Sequence, residues 1–224
     1  MCRLENHRTT TATKGGAMKI TLTTFLTIDG VYQAPGGPEE DRGGGFEQGG
    51  WSVPYGDDDF GRFMVGVIGR AEAFLLGRRT YDIFASYWPA ITDPADPIAG
   101  PLNTLPKYVP TNTLTSADWN NTRLLHGDLA KEVGALRKQD GGELQIHGSG
   151  ALAGALLRLG LIDTMHLLTF PVALGAGKRL FEPGVLPTAF ALTGSEVTGK
   201  GVVITSYERR GAPAYGSYER PEQG

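Results

Sequence analysis

The sequence predicts an α/β domain on a mixed, mainly parallel sheet flanked by helices. Three observations lead there. Short apolar and β-branched runs alternate with helix-like segments from Lys19 to Leu159, the pattern of parallel strands joined by crossover helices. From Thr164 onward strands follow one another with glycine-rich turns between them, which suits an antiparallel end to the same sheet. A chain of 224 residues, 40% hydrophobic and 20% charged, has material for one large domain with a substantial core.

The elements follow in order. Lys19–Leu26 is rich in β-branched residues and reads as the first strand. Ala34–Gly50 holds seven glycines in seventeen residues, with acids and prolines, and reads as a mobile loop. Asp57–Ala71 reads as a helix whose leading acids suit the positive end of its dipole. Ala73–Leu76 is a buried strand, and Thr80–Tyr87 a helix closed by Trp88-Pro89. Lys107–Val109 and Arg123–Leu125 are short strands, and Asp128 caps a helix running to Gln139. Leu144–His147 is a strand, and Ala151–Leu159 an apolar helix stopped by Gly160. Thr164–Pro171, Ala189–Glu196 and Val202–Glu208 complete the sheet. Residues 1–17 read as a disordered extension, 18–209 as the folded domain and 210–224 as a flexible tail.

Bulk chemistry narrows the functions. A net charge of −3 without a basic run argues against a nucleic-acid surface. The longest apolar stretches fall short of a membrane span. Cys2 is the single cysteine, so no disulfide framework forms within one chain, and the expected location is the cytoplasm. His7, His126, His147 and His166 show no ligand spacing, and no metal is expected.

Two strand–glycine–helix junctions carry the chemistry. In Phe74-Leu-Leu-Gly-Arg-Arg-Thr-Tyr81 a buried strand ends on Gly77, Arg78 and Arg79 follow, and Thr80 opens a helix. Glycine lets the backbone approach closely, the helix start offers unpaired N–H groups, and guanidiniums grip phosphate in a fork. The bland alternative is a turn with two solvated arginines. Leu144-Gln-Ile-His-Gly-Ser-Gly-Ala151 is a second such junction, with Gly148, Ser149 and Gly150 before an apolar helix. Its Gly148-x-Gly150-x-x-x-Gly154 spacing misses the Rossmann fingerprint and comes late in the chain. A generic pyrophosphate cradle remains, against the alternative of a plain tight turn, and His147 reads as a packed strand-end residue. Gly175-Ala-Gly-Lys-Arg179 lacks the hydroxyl and spacing of a phosphate loop and reads as a strand–turn–strand bend, from which Lys178 or Arg179 could reach a substrate or a neighbouring subunit. Asp57, beside Trp51 and below the glycine-rich loop, is the candidate proton donor with a raised pKa, against the alternative of a helix cap.

These motifs, in this order, resemble the dihydrofolate reductase-like superfamily, and within it the reductase domain of the riboflavin-biosynthesis deaminase–reductase. The resemblance runs from Lys19 to Glu208. It rests on Thr27-Ile-Asp-Gly30, Leu76-Gly-Arg-Arg-Thr-Tyr81, Lys107-Tyr-Val-Pro-Thr111, Gln145-Ile-His-Gly-Ser-Gly150, and Leu161-Ile-Asp163 through Phe170-Pro-Val-Ala-Leu-Gly-Ala-Gly177. It implies a three-layer fold with NADPH across the strand ends, and hydride transfer to a C=N bond or sugar carbonyl. In matching positions Gly77, Arg78, Arg79 and Thr80 would hold the 2′-phosphate and Thr111 the adenosine. Gly148, Ser149 and Gly150 would hold the pyrophosphate, while Asp29 and Gly30 start the loop over the nicotinamide. A homodimer is implied as well. The chain departs from dihydrofolate reductases in having Gly56 where their pterin-binding acid stands, with Asp57 one residue later. The expected function is NADPH-dependent reduction of a small heterocyclic or ribosylamino-pyrimidine substrate. A pterin reductase and a non-catalytic NADPH-binding regulatory module are the alternatives.

Overall fold

The structure is a computed structural model that describes residues 16–218. Its centre is an eight-stranded sheet. The strands are β1 (Lys19–Thr27), β2 (Ala71–Leu75), β3 (Lys107–Pro110), β4 (Thr122–Leu125), β5 (Glu143–His147), β6 (Thr164–Phe170), β7 (Ala189–Val197) and β8 (Val203–Gly211). The order is β4-β3-β2-β5-β1-β6-β8-β7. Strands β4 to β6 pair in parallel, and β6, β8 and β7 pair antiparallel. The predicted mixed sheet is therefore the observed one.

Helices cover both faces. One face carries α1 (Asp58–Ile68), α2 (Arg78–Tyr87) and the short α3 (Ala99–Thr104), packed around Phe74, Leu76 and Val109. The other carries α4 (Leu129–Arg137) and α5 (Gly150–Arg158), whose Val133, Leu136, Leu152 and Leu156 meet Ile20, Leu22, Leu75 and Ile146. Strand alternation produces this split, since neighbouring residues face opposite sides. Phe74 and Leu75 are both fully buried, one in each layer. Each such side chain contributes about 1.5–3 kcal/mol through burial.

Helix ends follow local chemistry. Asp57 and Asp128 cap α1 and α4 by accepting the N–H groups of Phe60 and Lys131 at 2.8 and 2.9 Å. The first helix stops at Ile68, earlier than the expected Ala71, because Gly69 closes it and the chain turns into β2. The second begins at Arg78 rather than Thr80, with Gly77 as its N-cap, so both arginines lie in its first turn.

Residues 1–15 and 219–224, which hold most of the expected extension and part of the expected tail, lie outside the described residues. Ala17 forms an antiparallel bridge with Asp140, and Arg210 and Gly211 belong to β8. Among the described residues no helix is long and apolar enough to cross a membrane.

Candidate functional site

All six parallel strands end on one edge of the sheet, and that edge gathers the predicted residues. The strand order reverses around β1, and α/β sheets place ligands at such an edge. Gly77 follows β2 and opens α2 on one face, while Ser149 follows β5 and opens α5 on the other. The Gly77 N–H donates to Ser149 Oγ at 2.9 Å, so one hydrogen bond joins the two junctions across the sheet.

That bond has an electrostatic consequence. Ser149 spends its hydroxyl on Gly77 and does not cap its own helix, and Gly77 has no side chain to cap α2. Neither helix carries an acid in its first turn. The leading N–H groups of both, with the positive ends of their dipoles, have no internal acid to neutralise them, and the Tyr32 ring covers the start of α5 at Gly150. By contrast α1 and α4 are neutralised from within, through Asp57, Asp58 and Asp59 and through Asp128 and Glu132. The turn that makes this possible is strained, since Gly148 and Ser149 are both left-handed, at φ 59° and 53°. Such a conformation suits glycine and costs a serine free energy that its tether to Gly77 helps to offset.

Around these helix starts lie cations. Arg78 donates through Nε to both oxygens of Asp82, at 2.8 and 2.9 Å, and through a terminal nitrogen to Thr113 Oγ1 at 3.2 Å. Arg79, 57% exposed, pairs with Asp41 of the glycine-rich loop. Thr80 stands in the same first turn, partly exposed. Thr111 follows β3 and is tied into its own turn, its Oγ1 accepting from the N–H groups of Thr113 and Leu114 at 3.2 and 3.0 Å. It supports the loop that Arg78 touches.

Two predicted residues have other partners. The Asp29 carboxylate accepts from Thr27 Oγ1 at 2.6 Å, from Gly175 N at 2.9 Å and from Arg179 at 3.0 Å. The Thr27 hydroxyl and these N–H groups hold its carboxyl far below the usual carboxylate range. Asp29 thus clasps the segment after β6 to the end of β1, and Gly30 beside it turns at φ 80°. Asp57 was expected to have a raised pKa, and the structure places it oppositely. The Phe60 N–H, and after it that of Lys200, hold the carboxyl below its ordinary value despite partial desolvation. It caps α1 and faces the β7–β8 turn.

The glycine-rich loop is folded onto the site rather than free of it. Gln33 Nε2 donates to the Asp41 and Gly43 carbonyls at 3.0 and 2.9 Å, and its Oε1 accepts the Lys178 N–H at 3.0 Å. Trp51 Nε1 donates to the Gln33 carbonyl at 2.7 Å. Tyr32 lies so close to Gly150 that a methyl group there would overlap the ring. Tyr32, Gln33 and Asp41 carried no sequence signal, because loop residues show no periodicity that ties them to distant partners.

Beside the end of β1 stands an aromatic wall. Phe170 meets Trp51 edge-on at 5.4 Å, Tyr55 at 6.0 Å and Phe25 at 5.4 Å, and Phe25 meets Phe60 at 5.3 Å. Phe170 and Trp51 are buried, and Phe25, Tyr55 and Phe60 keep partly exposed edges that a planar heterocycle could meet. Among the described residues no cluster of three or more His, Cys, Asp and Glu is placed to hold a metal.

Parallel strand ends, two helix starts without an internal acid and paired arginines thus meet on one edge of an α/β sheet. The chain belongs to the RibD C-terminal domain family, whose model matches residues 18–204. That family is reductase-like, which supports an oxidoreductase. The chain is 25% identical to the uncharacterized protein YyaP of Bacillus subtilis over 195 residues, covering 86% of this chain and 96% of that one. A putative riboflavin biosynthesis protein from Shewanella sp. PV-4 shares the fold, with a TM-score of 0.66 and 23% identity over 86% of this chain and 99% of that one. Dihydrofolate reductase from Enterococcus faecalis, solved with NADP(H), superimposes with a TM-score of 0.56 at 15% identity, covering 85% and 96%. The fold is thus dihydrofolate reductase-like.

Proposed function

We propose that the protein is an NADPH-dependent reductase acting on a small heterocyclic or ribosylamino-pyrimidine substrate, in chemistry like that of the riboflavin pathway. The observation that carries this reading is the Gly77–Ser149 bond, which joins two uncapped helix starts beside Arg78 and Arg79. A dinucleotide with an extra ribose phosphate has charged groups for both. The solved relatives support the choice, one named for riboflavin biosynthesis and one holding NADP(H).

NADPH, when bound, supplies the hydride. The chain's residues bind and orient. Arg78, Arg79 and the N–H groups of the first α2 turn would hold the 2′-phosphate, with Thr111 shaping the adenosine side. The Gly148–Gly150 turn would hold the pyrophosphate. The partly exposed rings of the aromatic wall would lie beside the substrate ring at the end of β1. With Asp57 held ionised as a cap, a water molecule is the proton source in this reading.

Replacing both Arg78 and Arg79 with Ala should weaken NADPH about 10- to 100-fold, the cost of one or two charge-assisted hydrogen bonds, and barely change NADH. Equal losses for the two cofactors in a calorimetric titration would remove the 2′-phosphate assignment. Turnover of a ribosylamino-pyrimidine against dihydrofolate then separates the main reading from a pterin reductase. Tight NADPH binding with no transfer to either would favour a regulatory module, which the capping role of Asp57 motivates. The same reading takes the protein as a cytoplasmic homodimer. Exposed Phe181 and Leu186, beside an apolar depression of about 300 Å³, support the pairing.

A further inference from the structure

The glycine-rich loop delivers a carboxylate to the cations of the proposed phosphate seat. Asp41 lies near its middle with a side chain only 9% exposed. Its Oδ2 accepts from Lys178 Nζ at 2.6 Å and also from Arg79, while Oδ1 accepts the Gly43 N–H at 2.9 Å. Arg79 belongs to the first turn of α2, and Lys178 to the segment after β6. Two cations from separate elements converging on one oxygen form a receptor for a single anion. Burial pushes the Asp41 carboxyl up, but Lys178, the Gly43 N–H and Arg79 outweigh it and hold the group ionised.

Both cations stay reachable, with Arg79 57% and Lys178 40% exposed. A carboxylate brings one negative charge to them. A phosphate monoester brings about 1.5 to 2 and three acceptor oxygens. The loop's own anion is therefore the weaker claimant. Tyr32, two residues before the loop, lies with its ring against Gly150 of the pyrophosphate turn.

We propose that Asp41 is a resident counter-ion of Arg79 and Lys178 that a ligand phosphate displaces, so that filling the phosphate seat releases the glycine-rich loop. Lys178 then joins Arg78 and Arg79 as a phosphate-binding residue. The proposal rests on the NADPH reading for the identity of the ligand, whereas the latch is testable without any ligand.

Arg42 adjoins Asp41 and is 64% exposed, so trypsin cleavage after it reports loop release. Cleavage of the whole chain is followed by mass spectrometry in wild type, Asp41→Asn and Lys178→Met, with adenosine 2′,5′-bisphosphate or adenosine 5′-phosphate as probe. Ligand-free Asp41→Asn should be cut at Arg42 several-fold faster than wild type. It should also bind the bisphosphate about tenfold more tightly, the effect of removing one competing charged contact. Lys178→Met should lose about tenfold for the bisphosphate and little for the monophosphate. In wild type the bisphosphate should speed cleavage at Arg42.

Equal ligand-free cleavage of wild type and Asp41→Asn would overturn the latch. Bisphosphate binding that leaves Arg42 cleavage unchanged would overturn the displacement. Faster cleavage of Asp41→Asn, with neither protein preferring the bisphosphate, would overturn the cofactor reading and the ligand named with it.

Discussion

Asp57 shows how one carboxylate's neighbours decide its chemistry. A proton donor at neutral pH needs a group that prefers its neutral form, and N–H groups aimed at both oxygens do the reverse. Asp57→Asn keeps a capping side chain and removes the titration. It should leave kcat within about twofold, whereas loss of a true general acid costs about 10²–10⁴-fold. Steady-state kinetics with the preferred substrate checks this, and a hundredfold fall would restore Asp57 as the donor. The sequence offers the cap as the alternative, since Phe60 is only three residues on, but it cannot reveal the second bond, because Lys200, whose N–H fixes the other oxygen, is 143 residues away. Gly77 and Ser149 were legible because glycine directly after an apolar strand and before a helix admits few other readings. Their mutual bond was not, since 72 residues separate them.

At the scale of elements, the four longer helices divide by how they begin. Those capped by Asp57 and Asp128 are complete in themselves, while α2 and α5 begin bare. Asp128→Ala should therefore cost about 1 kcal/mol of stability, as N-cap losses do, without changing NADPH affinity. Ser149→Ala should instead weaken NADPH, because it cuts the tether that sets the two bare ends together. Urea denaturation and a binding titration on both variants separate these effects. The strands and most helices were readable from periodicity, with errors of a few residues where glycine did the capping. The sequence hid α3 because six residues containing Gly100 and Pro101 match no helical pattern, and their order comes from burial of Ala99 and Leu102.

For the molecule as a whole, a polar seam under α1 makes stability depend on pH. His166 lies level with Thr23, which lies level with His147, across β6, β1 and β5. Arg70 has only hydrogens to give, so His166 Nε2 accepts from it at 3.3 Å and Nδ1–H donates to Ser206 Oγ at 2.7 Å. Arg70 also pairs with Glu143, which accepts from Gln145, and Gln145 Oε1 in turn accepts the His147 Nε2–H at 2.9 Å. Burial, and then His166 nearby, push His147 down to about 4. Burial and Arg70 lower His166 against the pull of Glu143. Between about pH 6.5 and this lowered value the unfolded chain takes up a proton that the folded chain refuses. Stability is therefore full above pH 6.5 and falls as the solution is acidified, by up to about 3 kcal/mol from His147. Urea midpoints measured across this window should decline accordingly, and less steeply in His147→Gln. A midpoint independent of pH there would show that the buried ring accepts its proton freely.

The bond from Lys200 to Asp57 has a mechanical meaning too. It fastens the tip of the terminal hairpin to the head of the helix that carries Phe60 and Phe63. The hairpin is in effect a lever arm resting on that helix. Val202 and Ile204 of the hairpin also pack in the cluster that those rings join, so hairpin and helix are fastened at two points.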